Sequence, residues 1–396
     1  MKNINLFLIL PALFVISCDK EEFSTGQSES FIKYYGSNKP YTGVSVLTTD
    51  DGGCIILGNF ENPGRSQDIC LIRTDQYGNT IAPVLTYGGL FDDFAYAIKK
   101  NDNGYVIAGS TKESSQGDKD IYLIQIDEAG DTLWTSSFGS NFNLDDEAFD
   151  VLVLDNGDLV LTGYSEILDD NNIHSDLLIA KINAADSLLW YEVHGQAKNE
   201  FGNAIIEAGD YFIIGGSTNS RPEYNTYNGY MVQVTKEGTN PSPLFFGTEG
   251  DSEVTSIVDA GNNTYFAACN VQSPQKDESK VSIVKFNHDE RDRITTLWTK
   301  DYGEQIFSKI SFGRANNNAV YFIGTSGENI ETGDILLLRL DPDGNFPEYF
   351  YAGDGISFTG STFDFAANGG YILAGTNYST ENSVIALIRL NSEGTL

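Results

Sequence analysis

The chain is poor in the residues that most often carry chemistry: its 396 residues include three histidines, four cysteines, three tryptophans and two methionines. His174, His194 and His288 are scattered, which argues against a histidine-built metal or proton-transfer centre. No Gly-x-Ser-x-Gly, His-Glu-x-x-His or phosphate-loop pattern occurs, so no nucleophile elbow, zincin helix or nucleotide cradle is indicated. Basic residues are scarce too. Lys and Arg number 24 against 56 Asp and Glu, a formal charge of -32, and no Lys/Arg cluster offsets it locally. Phosphate backbones and anionic headgroups are therefore poor partners, and no nucleic acid is expected. The plain reading of the acidity is a well-solvated surface.

The apolar run from Leu6 to Ile16 is too short to cross a bilayer core of about 30 Å as a helix, and it has the length of a signal-peptide core behind Lys2. Val15-Ile16-Ser17-Cys18 follows it and resembles a bacterial lipobox, in which the cysteine is lipidated and becomes the mature N-terminus; Ile16 departs from the small residue usual there. Asp19-Lys20-Glu21-Glu22 is similar to the acidic tag of surface lipoproteins in Bacteroidota-type bacteria, whereas in enterobacteria an Asp in that place resembles an inner-membrane retention signal. Residues 1–17 are read as a lipoprotein signal peptide. Residues 18–29, polar and serine-rich, are read as the lipidated Cys18 and its tether. The expected location is the outer membrane, at the cell surface, with the lipid as the only membrane contact and the protein a monomer.

From Ser30 onward the chain repeats. An aromatic-Gly or His-Gly pair recurs at Tyr35-Gly36, Tyr87-Gly88, Phe138-Gly139, His194-Gly195, Phe246-Gly247 and Tyr302-Gly303, with Tyr351-Ala352-Gly353 as a looser copy, at steps of 52, 51, 56, 52, 56 and 50 residues. A second glycine closes an apolar run at Gly58, Gly109, Gly163, Gly216, Gly324 and Gly375, with Cys269 in its place in the fifth copy. The third landmark is an Asp that opens another apolar run, at Asp68, Asp120, Asp176 and Asp334. Each copy holds four short strand-like runs separated by Gly, Asn and Asp turns, with no helical period. Four strands in about 50 residues make one blade of a β-propeller, which buries its faces only by stacking on neighbours. The prediction is an all-β fold: a single β-propeller of about seven four-stranded blades over residues 30–396, with repeats starting near 36, 88, 139, 195, 247, 303 and 353.

The last copy stops at Leu396, where the others begin a fourth strand, and Ser30-Phe-Ile-Lys-Tyr-Tyr-Gly36 matches the missing piece. The N-terminal strand should complete the C-terminal blade and remove two free sheet edges. Gly369-Gly-Tyr-Ile-Leu-Ala-Gly375 and the segment from Asp120 resemble the β-propeller repeats of uncharacterised lipoproteins in Bacteroidota-type bacteria. That resemblance covers roughly Ser30 to Leu396 and implies fold and surface location only.

The loops between second and third strands are the longest and most varied, and blade topology puts them on one face with the interblade loops. Around the centre of that face the sequence places Asp92, Asp93, Asp145, Asp146, Glu147, Glu200, Asp251 and Glu253 in four consecutive blades, and Phe307, Phe358 and Tyr41 at comparable places in the other three. An acidic half facing an aromatic half suits a sugar or a cation; the alternative is that the acids cap backbone amides in a repeated loop. The favoured function is a surface-exposed, lipid-anchored binding or scaffold module engaging a glycan or a protein through the loop face. The alternative is a carbohydrate-active hydrolase or lyase using the central acids, whose separation would decide the chemistry. No cofactor is expected. Leu168-Asp-Asp-Asn-Asn-Ile-His-Ser-Asp176 has oxygen ligands enough for calcium in Asp169, Asp170 and Asp176, but it lacks the spacing of a known calcium loop, and a solvated loop is the favoured reading. Cys54 and Cys70, on adjacent strands of the first blade, are either a disulfide or two buried thiols, depending on a register that the sequence does not fix.

Overall fold

A computed structural model describes residues 30–396 apart from 63–65, 113–116, 141–142, 222–225, 247–249, 274–278, 290–292, 303–306, 317–318, 328–332, 354–356, 368 and 380. Cys18 and the leader lie outside the described residues. The described chain is all-β: seven four-stranded antiparallel sheets, without a helix. Their inner strands, Tyr41–Thr48, Asp93–Asn101, Asp146–Val153, Glu200–Ala208, Ser252–Asp259, Phe307–Asn316 and Phe358–Phe365, each pack on the next, and the last packs on the first. The protein is a seven-bladed β-propeller.

There is no single core. Each of the seven blade interfaces holds its own cluster of buried apolar side chains, for example Ile56 and Ile72 of blade one against Ile385 and Leu387 of blade seven. Third strands are apolar almost throughout because a neighbouring blade covers each face, as in Ile69-Cys-Leu-Ile72, all fully buried.

The sequence landmarks are the contacts of this stacking. Every inner strand carries a β-bulge, and the residue facing it across the ladder is Gly58, Gly109, Gly163, Gly216, Cys269, Gly324 or Gly375. A Cβ at Gly109, Gly163 or Gly216 would collide with the inner-strand carbonyl of Phe94, Glu147 or Phe201. The aromatic-Gly pair is an interblade staple. Tyr35, Tyr87 and Tyr302 donate their hydroxyls to the carbonyls of Gly78, Gly130 and Gly344 in the next blade (2.7, 2.6 and 2.6 Å), and His194 Nε2 does the same to Gly238 (2.6 Å). The position takes a flat ring: in four blades it carries a donor at its tip, which His194 supplies in place of a tyrosine, whereas Phe138 and Phe246 only pack there.

The ring closes as the sequence indicated. Phe31–Tyr35 pairs with the third strand of blade seven, from Phe31 opposite Arg389 to Tyr35 opposite Ile385. Cys54 and Cys70 are free and buried. Cys54 pairs with Thr74 and Cys70 with Gly58, so they stand four rungs apart along the ladder, about 13 Å at ~3.3 Å per residue. Burial pushes both thiols up to about 12, which leaves them protonated and inert.

Candidate functional site

Two adjacent acidic positions at the start of the inner strands do separate jobs. At the first, Asp92, Asp145 and Asp251 accept from the amide that opens the third strand of the preceding blade: Gln67 N at 2.9 Å, Lys119 N at 2.9 Å and Tyr227 N at 3.0 Å. At the second, Asp93, Asp146 and Glu200 turn back onto their own interblade loops, accepting from Gly89 N at 2.6 Å, Ser140 N at 2.5 Å and Gln196 N at 3.0 Å. All three of the second set are buried. Capping fixes the path of each loop over the blade edge, and charged acceptors make such bonds strong.

Because side chains alternate along a strand, the residues one and three places after the second acid point to the axis instead. In blades two to four these include Phe94, Tyr96, Glu147, Phe149 and Phe201. With Tyr164 and Tyr227 they form an arc of rings: Phe94 to Tyr96 6.4 Å, Tyr96 to Phe149 5.1 Å, Phe149 to Tyr164 5.7 Å, Tyr164 to Phe201 5.4 Å and Phe201 to Tyr227 6.1 Å between centroids. The aromatic surface therefore lies in the same blades as the acids, not opposite them. Sequence reasoning passed over these rings by following the capping position; the one-residue and three-residue offsets were the available signal.

Glu147 is the hub of the arc. Its carboxylate accepts from Tyr96, from Tyr164 (2.8 Å), from Ser110 (3.1 Å) and from Lys119 Nζ (2.6 Å). Burial by itself would raise its pKa, but the bonds from Lys119, Tyr96 and Tyr164 hold it below the usual carboxylate range. Burial, and then the Glu147 charge, push both phenols upward. Both therefore stay neutral donors and their rings are held in place.

Beside the arc a cavity of 620 Å³ opens on the loop face, lined by Phe149, Phe201 and Tyr227, by Asn203, Asn270 and Gln272, and by Asp251 and Glu253 among others. Lys309 Nζ approaches Glu253 at 3.5 Å across it. Phe149 and Asn203 also line the axial channel, a 710 Å³ space bounded by the inner strands of all seven blades. Ion pairs bind neighbouring blades along that channel: Lys99 with Asp150 at 3.0 Å, and Arg314 with Asp364, which also accepts from Thr48 N of blade one at 2.9 Å.

The remaining predicted residues are placed elsewhere. Tyr41 stacks on Phe60 at 5.4 Å, with Lys39 Nζ 3.7 Å from the Phe60 centroid. Phe358 is fully buried between blades six and seven. The backbone of Phe307 pairs with Ser326. The segment with the weak calcium candidates is a hairpin: the ladder runs on to Asp169 opposite Asn172, and Asp170 and Asn171 make the turn with φ of 47° and 65°, which Asp and Asn tolerate. Asp176 lies four rungs below Asn172, about 13 Å away at ~3.3 Å per residue, so Asp169, Asp170 and Asp176 do not converge. Among the described residues no group of three or more His, Cys, Asp or Glu side chains is placed to hold a metal ion.

Asp176 is instead an electrostatic cost. Burial, and then the charge of Glu200, raise its carboxyl from 3.8 to about 6, against the lowering effect of His174. The folded state thus favours the neutral acid: its contribution is full below about pH 4 and lost as the pH rises through about 6. Asp176→Asn should raise the unfolding midpoint at pH 7.5, by the equivalent of ~1–3 kcal/mol, and give no gain at pH 4. Calorimetric scans at the two pH values check this; an equal shift at both would assign the effect to packing.

The sequence matches no protein-family model and no curated protein. In three dimensions the chain is similar to a fungal alcohol oxidase of the AA5 family in complex with copper (TM-score 0.56, 11% identity, 91% of this chain and 76% of the oxidase). It is also similar to the acylaminoacyl peptidase of Pyrococcus horikoshii (TM-score 0.51, 11% identity, 88% of this chain), of which it spans about half the length, 51%. The β-propeller domain of the Trilobed protease from Pyrococcus furiosus aligns with 89% of this chain and 94% of its own at TM-score 0.49 and 9% identity. At such identities the likeness is one of fold, and the fold hosts unrelated chemistries.

Proposed function

We propose that this protein is a lipid-anchored, surface-exposed binding module that holds a glycan in the loop-face cavity. The observation that carries the reading is the composition of that cavity: the rings of Phe149, Phe201 and Tyr227 on one side, and the amides of Asn203, Asn270 and Gln272 with the Asp251 and Glu253 carboxylates around them. A pyranose has an apolar C–H face that stacks on such rings and a rim of hydroxyls that both donate and accept. Amides and carboxylates supply the matching groups, and the Glu147 hub keeps the arc rigid before the ligand arrives. Anchoring at Cys18 rests on the apolar run and lipobox-like residues that precede it, and would present the loop face outside the cell.

A glycan-array screen of the full chain, followed by product analysis of each hit, tests the reading. The expected result is a retained, unaltered glycan whose affinity falls at least tenfold in Phe201→Ala and Tyr227→Ala, in line with ~1–2 kcal/mol per aromatic contact, together with loss of membrane association in Cys18→Ser. Cleavage of the hit would replace binding with hydrolysis. A screen without hits would remove the glycan from the assignment.

A further inference from the structure

A second cavity, of 450 Å³, lies between blades three and four on the outer side of the propeller, and it shares no lining residue with the loop-face cavity. Its walls have two poles. At one stand Glu200 and Tyr230. Tyr230 is 4% exposed, and its hydroxyl is buried without a hydrogen-bond partner among the described residues. Its ring stacks on Phe245 at 6.2 Å and 13°. Asp176 adds negative charge from behind Gly195, where a Cβ would collide with its carboxylate. Burial, then Glu200, then Asp176, raise the Tyr230 phenol well above its ordinary value, so it stays a neutral hydroxyl with an oxygen free to accept. At the other pole the Arg221 guanidinium lies over the Phe245 ring, 4.9 Å from its centroid. Between the poles run Pro241, Pro243 and Val232, an apolar wall without donors.

A buried hydroxyl without a partner is disfavoured unless something else meets it, and here it belongs to a residue that lines a cavity and feels the negative charges of Glu200 and Asp176. A cationic donor satisfies that pole: it gives hydrogen bonds to Tyr230 Oη and to the Glu200 carboxylate, whose two oxygens already accept from Thr218 (2.6 Å) and Gln196 N (3.0 Å) and retain lone pairs. The guanidinium at the other pole matches a planar carboxylate. We propose that this cavity binds a free α-amino acid with an apolar side chain, as its zwitterion. The ammonium group sits against Glu200 and Tyr230, the carboxylate against Arg221, and the side chain along Pro241, Pro243 and Phe245. A volume of 450 Å³ falls within the range of small-molecule pockets.

Titration calorimetry on the purified full chain tests this with three probes of one shape: L-phenylalanine, phenethylamine and 3-phenylpropanoate. Both poles acting together predict that L-phenylalanine binds at least tenfold more tightly than either single-charge probe. Tyr230→Phe and Arg221→Gln should each weaken it at least tenfold, with the unfolding midpoint of each variant checked alongside. Phenethylamine binding as tightly as the amino acid would remove the Arg221 pole and overturn the assignment, as would failure of both L-phenylalanine and L-leucine to bind at millimolar concentration. Neither outcome bears on the glycan reading, which concerns the other cavity.

Discussion

Deletion of residues 30–37 is expected to lower the unfolding midpoint by about 5–8 °C, and a synthetic peptide of that sequence supplied in trans should restore it. The deleted strand is the fourth of blade seven. It places Phe31 and Tyr35 against the cluster shared by blades seven and one, and Ile32 against that of blades six and seven. It also carries part of the seam: Tyr35 donates to Gly78 O at 2.7 Å, and Phe31 covers Arg389 of the neighbouring strand in the ladder, which donates to Gln76 O at 2.5 Å. Three partly buried apolar side chains at ~1–2 kcal/mol each, with the staple and ladder bonds, amount to roughly 5 kcal/mol. That is comparable to the whole stability of many domains. The strand Val384–Leu390 would become a bare edge, so the truncated chain should also self-associate. Fluorescence-monitored melts with and without peptide decide the matter. A midpoint within 2 °C of the intact chain would show that blade seven closes the ring with three strands.

The fold was legible because its landmarks are obligatory contacts repeated seven times. A bulge needs a small residue opposite it, and the interblade contact needs a flat ring, tipped with a donor in four of the blades; neither depends on what the molecule binds. Loop-face chemistry was less legible for an equally physical reason. Asp93 and Phe94 are neighbours in sequence but point to different places, the one to the Gly89 amide and the other toward the axis, and a one-residue register decides which of them meets a ligand. The acids were found and their surroundings were not: nothing in the sequence shows that Glu147 collects two phenols, a hydroxyl and an ammonium from four other strand positions. In blade three the loop was ambiguous for another reason. A run of Asp and Asn suits a solvated loop or oxygen ligands alike, and only the continued pairing of Leu168 with Ile173 reveals that Asp170-Asn171 is a two-residue turn.

The exception in blade five leads to the second large effect: Gly229→Ile alone should destabilise the protein by more than 3 kcal/mol, whereas Gly229→Ile combined with Cys269→Gly should recover most of that loss. Between blades seven and one, and between blades six and seven, a third-strand isoleucine of one blade packs over the bulge-facing glycine of the next. A Cβ on Gly58 would lie 2.5 Å from Ile385 Cδ1, and one on Gly375 would lie 2.8 Å from Ile335 Cδ1. Between blades four and five the sizes are exchanged. Cys269 stands where the glycine would be, the residue equivalent to the isoleucine is Gly229, and a Cβ there would lie 2.8 Å from the Cys269 sulfur. Burial pushes that thiol up to about 12, so it acts as a small apolar filler. Cys269→Gly alone removes only that filler and should cost about 1–2 kcal/mol through the void it leaves. Denaturant titrations of the four proteins complete a double-mutant cycle, with an expected coupling of at least about 2 kcal/mol. Additive losses would mean that the two positions do not share one packing requirement. A large coupling would show that the blade interface conserves combined volume, so that a glycine missing from one copy of the repeat has to reappear on the strand that faces it.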